Sequence, residues 1–548
     1  MSATAGELLD QGRAALRSGD AAGARAALER AMAEAPSGDA VEGLARAAYL
    51  ELDFARGVTD WERAYAMHRD ANDTVGAVRV ARTLAYLYGA VLGDAAVMSG
   101  WMARAQTLLG DDDQSREAGW VLLNRGMFAN ERVRREELFR AALALGRREG
   151  DTDLEFVSLA YLGANLVHSD RTEEGMLLLD EALAAVAGRE VDDFSVLEEI
   201  FCQLFSACEH AHDVARADQW IRIGEAIAER RQLPAVSAFC RTHYGGILTA
   251  AGRWPEADAA LTDAVRLWGL GYRSLRSGAL IRLADLRVRQ GRFEEAEQLL
   301  EGLDAYAEAA RPLAAIRLVR GDWALACDVL ERALAQVDPV GAAAAHLLAL
   351  LVDVHLAASE FEEAKTAADQ LVACASRTPS DYLRAAAALA RGRVCLATGT
   401  GDAQACLREA LAGFDRAQMP MELASARLEL AAALVTDRPE VALAEARAAL
   451  EAFERLQAAR HADAAAAMLR SLGARGPSGP RTSGVLTKRE AEVLDLIGHG
   501  LSNPEISDRL YISRKTVEHH VGNVLAKLGL RSRGEAAAFA VRQKPGAE

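Results

Sequence analysis

The sequence predicts an all-α protein: a long array of helical hairpins, a short linker, and a small four-helix domain at the C-terminal end. Three observations carry this. Hydrophobic residues make up 51% of the chain while aromatics make up only 5%, with Ala and Leu dominant, a composition suited to close-packed helices. A turn-like phrase recurs along the first 470 residues, its starts from His212 to Thr436 lying 40, 39, 30, 38, 42 and 35 residues apart. The last stretch, from Leu486, carries explicit helix start and stop signals.

In chain order, Gly19-Asp20-Ala21-Ala22-Gly23-Ala24 is followed by Leu28, Ala31 and Pro36. Gly252-Arg253-Trp254-Pro255-Glu256-Ala257 leads to Leu261 and Ala264, and Gly291-Arg292-Phe293-Glu294-Glu295-Ala296 to Leu299 or Leu300. Gly321-Asp322-Trp323 leads to Ala326, Leu330 and Ala333, and Ser359-Glu360-Phe361 to Ala364 and Leu371. Weaker copies begin near Gly93, Ser169, His212, Gly401 and Thr436. In this reading Gly or a polar residue makes the turn, the aromatic or Ala after it packs between helices, and the Ala three further on lets backbones approach. The phrases resemble the second half of a tetratricopeptide (TPR) repeat. One hairpin cannot bury its apolar face alone, so a TPR-like solenoid of about eleven or twelve units is expected over residues 1–472.

Chemistry within the array is sparse. There is no G-x-x-x-x-G-K-[ST] phosphate cradle and no strand-alternating segment with a phosphoacceptor Asp, so no cofactor is expected, and no Ser/His/Asp or Cys/His arrangement argues for an enzyme. Seven cysteines, Cys202, Cys208, Cys240, Cys327, Cys374, Cys395 and Cys406, are scattered without a C-x-x-C pair and read as small buried apolar residues, a redox sensor being the alternative. Cys208-Glu209-His210-Ala211-His212-Asp213 is metal-capable, but it falls at a turn and its two imidazoles, two residues apart, would point to different sides, so no metal is expected. Cys240 to Gly246 is a polar, aromatic patch that fits a tightly packed first helix of a repeat; a ligand or peptide site on the concave face is the alternative. Asp111-Asp112-Asp113 reads as an exposed inter-repeat loop. No run of eighteen apolar residues occurs and the N-terminus lacks a basic region before an apolar core, so a soluble cytoplasmic protein without membrane contact is expected.

Five glycines and prolines between Gly473 and Pro480 mark residues 473–485 as a flexible linker. Beyond it, Thr487 with Glu490 forms a capping box for a first helix, with Leu486 at the staple position, and Gly498-His499-Gly500 ends it. Asn503 can cap a second helix with Pro504 at its first position; Ile506 and Leu510 give its buried side. Tyr511-Ile512 connects to a third helix capped by Ser513, whose Val517, Val521, Val524, Leu525 and Leu528 form an apolar stripe. Ser532 with Glu535 opens a fourth helix through about Arg542. The net charge of −16 divides unevenly: Arg481 to Glu548 holds 11 Lys/Arg against 8 Asp/Glu, or +3, leaving −19 for the rest. Any contact with a phosphate backbone is thereby confined to the C-terminal domain.

Two helices joined by a three-residue turn make a helix-turn-helix. The segments LTxRExEVL (Leu486 to Leu494), GLSNxEIS (Gly500 to Ser507), ISxxTVexH (Ile512 to His520) and KLGLxSRxEA (Lys527 to Ala536) closely resemble the LuxR/GerE-type helix-turn-helix family, over about 58 of 548 residues. The resemblance implies a domain over 486–545 whose third helix enters the major groove and whose fourth helps it dimerise, around Ala537, Phe539 and Ala540. On a helical wheel Lys515, Glu518, His519, Gly522 and Asn523 face away from the stripe, and by resemblance Glu518, His519 and Gly522 occupy the base-reading positions. Glu518 can accept from a cytosine amino group and His519 can donate to a purine, while Gly522 permits close approach. Asn503, Ser513, Arg514, Lys515, Thr516, His520 and Lys527 are candidate phosphate contacts.

The expected function is a sequence-specific transcriptional regulator acting on double-stranded promoter DNA as a homodimer, an activator by family expectation, with RNA polymerase as a partner and a bacterial, nucleoid-associated cytoplasmic location. The array would sense an unidentified ligand or protein. The alternative is a TPR-like protein–protein adaptor in which DNA binding is secondary.

Overall fold

The computed structural model describes residues 4–110, 115–231, 238–269, 273–377, 380–473, 486, 488–510, 514–528, 530 and 532–542. The expected Asp111–Asp113 loop and almost all of the linker at 473–485 lie outside these, as do Thr487 and Ser513. The chain divides into two compact units, Met1–Leu472 and Gly473–Glu548, and the described residues contain helices and no strand.

The first unit is a TPR-like array of twelve antiparallel hairpins among the described residues, from Ala5–Arg17 with Ala21–Glu34 to Pro420–Leu434 with Pro439–Leu456, closed by a single helix, Ala459–Ser471. Ten of the twelve hairpins reverse through a residue in the left-handed region; the fourth, after Phe128, and the twelfth, at the turn expected near Thr436, do not. Gly19, Gly93, Gly252, Gly291, Gly321 and Gly401 adopt it, as do His212 and Ser359, all at anticipated turns; at the turn expected near Ser169 it is Asp170, and Leu52 adopts it where no turn was anticipated. The Leu52 turn has no glycine to advertise it. Past the reversal the pattern is regular. Where Asp comes next it caps the second helix in four hairpins: Asp20, Asp53, Asp213 and Asp402 accept from the amides of Gly23, Arg56, Arg216 and Ala405 at 2.8–3.2 Å, whereas Asp94 and Asp322 stand at the same position without a side-chain cap bond. Where Arg comes next, it reaches a Glu three residues on instead, as in Arg171–Glu174, Arg253–Glu256 and Arg292–Glu295. The residue five past the reversal is a buried small residue in most hairpins: Ala24, Ala217, Ala257, Ala296, Ala326 and Ala364 all have zero exposure, while the half-buried Met98 stands there after Gly93. The aromatic is less uniform than expected. Trp254 is 1% exposed, whereas Trp323 is 41% and Phe361 40% exposed.

That difference has a cause in how the array curls. Trp254 packs in one cluster with Met421, Phe453 and Leu456 of the twelfth hairpin, so a later part of the array covers it. A Cβ on Gly252 would come within 2.6 Å of both Leu456 and Pro420. Arg289 of the eighth hairpin donates to Glu422 of the twelfth at 2.9 Å. One step earlier, Arg46 pairs with Asp193, Tyr86 donates to Glu199 at 3.0 Å, and Ala264 and Ala279 join a cluster with Val41, Leu84 and Val91. Hairpins three to five apart therefore touch, and the array closes on itself along a seam.

Thr74–Leu92 is long and apolar enough to cross a membrane, 19 residues at mean hydropathy 1.2, with half of that window buried. It ends in a π-helical turn, Leu87–Leu92. Arg79 bonds Glu42 at 2.7 Å and Arg82 bonds Glu117 at 3.2 Å, so it is used here as a core helix of the array.

Candidate nucleic-acid interface

The second unit holds four helices, Lys488–Gly498, Asn503–Leu510, Arg514–Leu528 and Arg533–Arg542. Their apolar faces meet in one core: Val493, Ile497 and Ile506 from the first two, Val517, Val521, Val524 and Leu528 from the third, Ala536 and Ala540 from the fourth. Gly500, at φ +80°, makes the reversal after the first helix. The second helix is capped one residue earlier than the sequence suggested. Ser502 supplies the carbonyl for Ile506 N–H at 2.9 Å, and its own N–H and hydroxyl donate to Glu505 at 2.7 and 2.6 Å, the Glu half of a capping box. Those two donors hold the Glu505 carboxyl below its ordinary value. Asn503, released from capping, accepts from Arg533 Nη1 at 2.7 Å, while Nη2 of the same guanidinium bonds the Leu501 carbonyl. Ser532 accepts from the Glu535 amide at 3.2 Å, the expected cap of the fourth helix.

The third helix separates cleanly by exposure. Arg514, Lys515, Glu518 and Gly522 are exposed, and His520 and Asn523 half-buried, opposite a buried Val517–Val524 stripe. The side chains of Thr516 and His519 lie outside the described residues, as does Ser513. A Cβ added to Gly522 would meet nothing within 4 Å, so the surface there is open to a close approach. Lys527 has a different setting from Lys515: its ammonium lies 2.7 Å from the carboxylate of Glu490, a side chain only 4% exposed. A phosphate at Lys527 would have to share that ammonium. Of the residues expected at a dimer surface, Ala540 is 8% exposed and lies against Gly498, where a Cβ would sit 2.7 Å from its own; Ala537 and Phe539 are half-buried. Ala540 thus serves the core of its own domain.

In the array, the two segments singled out from the sequence are brought together. Glu209, from the first, accepts from Arg282 at 2.6 and 2.7 Å and bonds His243, from the second, at 2.6 Å. Burial would push the Glu209 carboxyl up, but Arg282 and His243 hold it down to about 2. The imidazoles at 210 and 212 do point apart: His210 lies tilted by 55° against His168 at 4.7 Å, and His212 lies parallel to the Tyr382 ring at 4.0 Å. Burial pushes both down to about 4. Cys240 is buried, and Gly245 lies so close to Leu261 that a Cβ would overlap it, so this is a tightly packed first helix of a hairpin. Sequence reasoning missed Arg282, 73 residues from Glu209, because no local signal joins them.

Residues 484–540 match the family described as bacterial regulatory proteins, luxR family. The chain is 51% identical to the transcriptional regulatory protein LnrK of Bacillus subtilis (strain 168) over 57 residues, 10% of this chain and 26% of that protein. It is 45% identical to the oxygen regulatory protein NreC of Staphylococcus aureus (strain JH9) over 60 residues, 11% of this chain and 28% of that one. The chain thus spans about a quarter of the length of the curated relatives it matches. Among solved structures, the crystal structure of the APC/C hetero-tetramer Cut9-Hcn1 aligns with 85% of this chain and 96% of that one, at a TM-score of 0.34 and 12% identity. Apolar core, capping and sequence match converge on one conclusion: the C-terminal unit of this chain carries a LuxR-family helix-turn-helix domain, a DNA-binding domain of transcriptional regulators.

Proposed function

We propose that the chain is a sequence-specific transcriptional regulator that binds promoter DNA as a homodimer, acts as an activator through contact with RNA polymerase, and takes its signal from a ligand or protein held by the helical array. The observation that carries the DNA-reading part is the exposed face of Arg514–Leu528, where Arg514, Lys515, Glu518 and open Gly522 stand opposite a fully packed stripe. In this reading Glu518, His519 and Gly522 meet base edges, and Arg514, Lys515, Thr516, Ser513, Asn503 and His520 meet phosphates. Lys527 contributes through its pair with Glu490 more than through a phosphate, and Ala537 and Phe539 form the dimer contact. One copy offers few phosphate contacts, so two-fold binding with steep salt dependence is expected. The site of action is the bacterial cytoplasm, at the nucleoid.

The test is a mobility shift and footprint on the chain's own upstream region, with wild type and with Lys515→Ala plus His519→Ala. A protected site that survives non-specific competitor and disappears in the double variant supports the reading. No site above competitor at moderate salt overturns it.

A further inference from the structure

Five of the seven cysteines are buried; Cys327 and Cys395 are only half-buried. Cys327 stands on the second helix of the ninth hairpin, Trp323–Leu334, and faces the first helix of the tenth, Ala342–Ala357, and its turn. Its Sγ lies 4.0 Å from His355 Nδ1, which lies 2.7 Å from Glu360 Oε2. One ligand atom from each of the three side chains falls within 4.8 Å of the others. The residues are 28 and 5 apart in sequence, a spacing that matches no metal motif, so only the packing of the hairpins brings them together.

A second place in the array shows what such a cluster looks like when the protein fills it with its own cation. Asp39, Glu42 and His68 also converge, and His68 bonds Asp73 at 2.8 Å across a turn just as His355 bonds Glu360. There Arg79 donates to Glu42 at 2.7 Å and to Asp39 at 3.0 Å, so a guanidinium occupies the cationic position. At Cys327 the charged groups that act on the thiol are Glu360, Glu331 and Asp328, all acidic, and together with burial they push its pKa up. The ninth and tenth hairpins thus gather sulfur, imidazole nitrogen and carboxylate oxygen in a negative field.

We propose that Cys327, His355 and Glu360 bind a Zn²⁺ ion that staples the ninth hairpin to the tenth. A mixed S, N and O set suits zinc better than the oxygen-seeking Mg²⁺ or Ca²⁺. Bond lengths of about 2.3 Å to sulfur and about 2.0 Å to nitrogen and oxygen need only side-chain rotation, with the sulfur–nitrogen distance closing and the nitrogen–oxygen distance opening. Three protein ligands leave a fourth, solvent-facing position for water or for Glu331, one helical turn beyond Cys327. On binding, the thiol loses its proton to solvent and the neutral imidazole moves its one proton from Nδ1, where it bonds Glu360, to Nε2, so one proton is released per ion.

The experiment titrates the untagged, chelator-stripped full chain with Co²⁺ as the probe and displaces it with Zn²⁺. The expected result is one equivalent bound with a thiolate-to-cobalt charge-transfer band and tetrahedral visible bands, and about one proton released per Zn²⁺. Cys327→Ser and Glu360→Gln each lose the band with the helical circular dichroism intact, and Cys395→Ser keeps it. Glu360 is exposed, so its variant tests the site even where a cysteine replacement disturbs packing. A wild-type chain without the band at micromolar metal, or a Cys327→Ser variant that retains it, overturns the proposal.

Discussion

Lys515 and Lys527 lie on the same helix, yet their surroundings give them different work. Lys515 is exposed, whereas Lys527 neutralises a buried Glu490 carboxylate. Lys515→Ala is expected to weaken DNA binding alike on every sequence and to reduce the slope of log affinity against log salt by about one, with unchanged melting. Lys527→Ala removes an ammonium from a buried carboxylate and is expected to cost the C-terminal unit about 1–3 kcal/mol. Fluorescence anisotropy across a salt series, paired with thermal melts, separates the two; equal melting temperatures for both variants would remove the distinction. At this scale the sequence was informative where a residue acts on its near neighbours. The Ser532 cap and the valine stripe were legible for that reason. The Glu490–Lys527 pair, 37 residues apart, and Arg533 reaching Asn503, 30 apart, were not, because a charge looks the same in sequence whether solvated or paired.

Glycine substitution shows how a helical element reads its context. In an exposed helix interior, Gly→Ala stabilises by up to about 1 kcal/mol, and Gly522, with open space around it, should follow that rule. Gly246 should do the opposite. Its helix, Ala238–Ala250, runs so close to Glu209 that a Cβ would overlap the carboxylate held by Arg282 and His243. Gly246→Ala is therefore expected to destabilise the array by about 1–3 kcal/mol, and Gly522→Ala to raise the stability of the C-terminal unit while crowding the DNA face. Denaturant unfolding of both variants checks the signs; a stabilised Gly246→Ala would refute the packing argument. The hairpins themselves were readable because the reversal, the cap and the small residue five positions on recur together. The Leu52 turn escaped because its left-handed residue is a leucine, and the exposure of Trp323 and Phe361 escaped because whether an aromatic is covered depends on a hairpin far away in sequence.

Across the whole array, half-buried imidazoles set a pH response. Burial pushes His168 down to about 3 and His210, His212 and His461 down to about 4, from an ordinary value of 6.5, and His346 falls as well. Unfolding returns them to the ordinary value, so below about pH 6.5 the unfolded chain binds more protons than the folded one. Stability is then complete above pH 6.5 and is lost as pH falls from there toward 4, each imidazole adding up to about 1.4 kcal/mol per pH unit. The melting temperature of residues 1–472 should drop steeply in that window, and His212→Phe, which keeps a ring against Tyr382, should flatten the drop. A pH-independent melting temperature between 6.5 and 5 would contradict this.

The seam bears on how the array comes apart. In an open row of hairpins each unit touches only its neighbours, so the ends fray first and opening spreads inward one unit at a time. Here the twelfth hairpin lies over the seventh and eighth, through Trp254, Phe453, Leu456 and the Arg289–Glu422 pair. Loosening the last hairpin therefore uncovers the middle of the row. Amide exchange would register hairpins seven to twelve as one block with a shared opening free energy, a knot of cooperativity where a ladder of graded protection would otherwise be found.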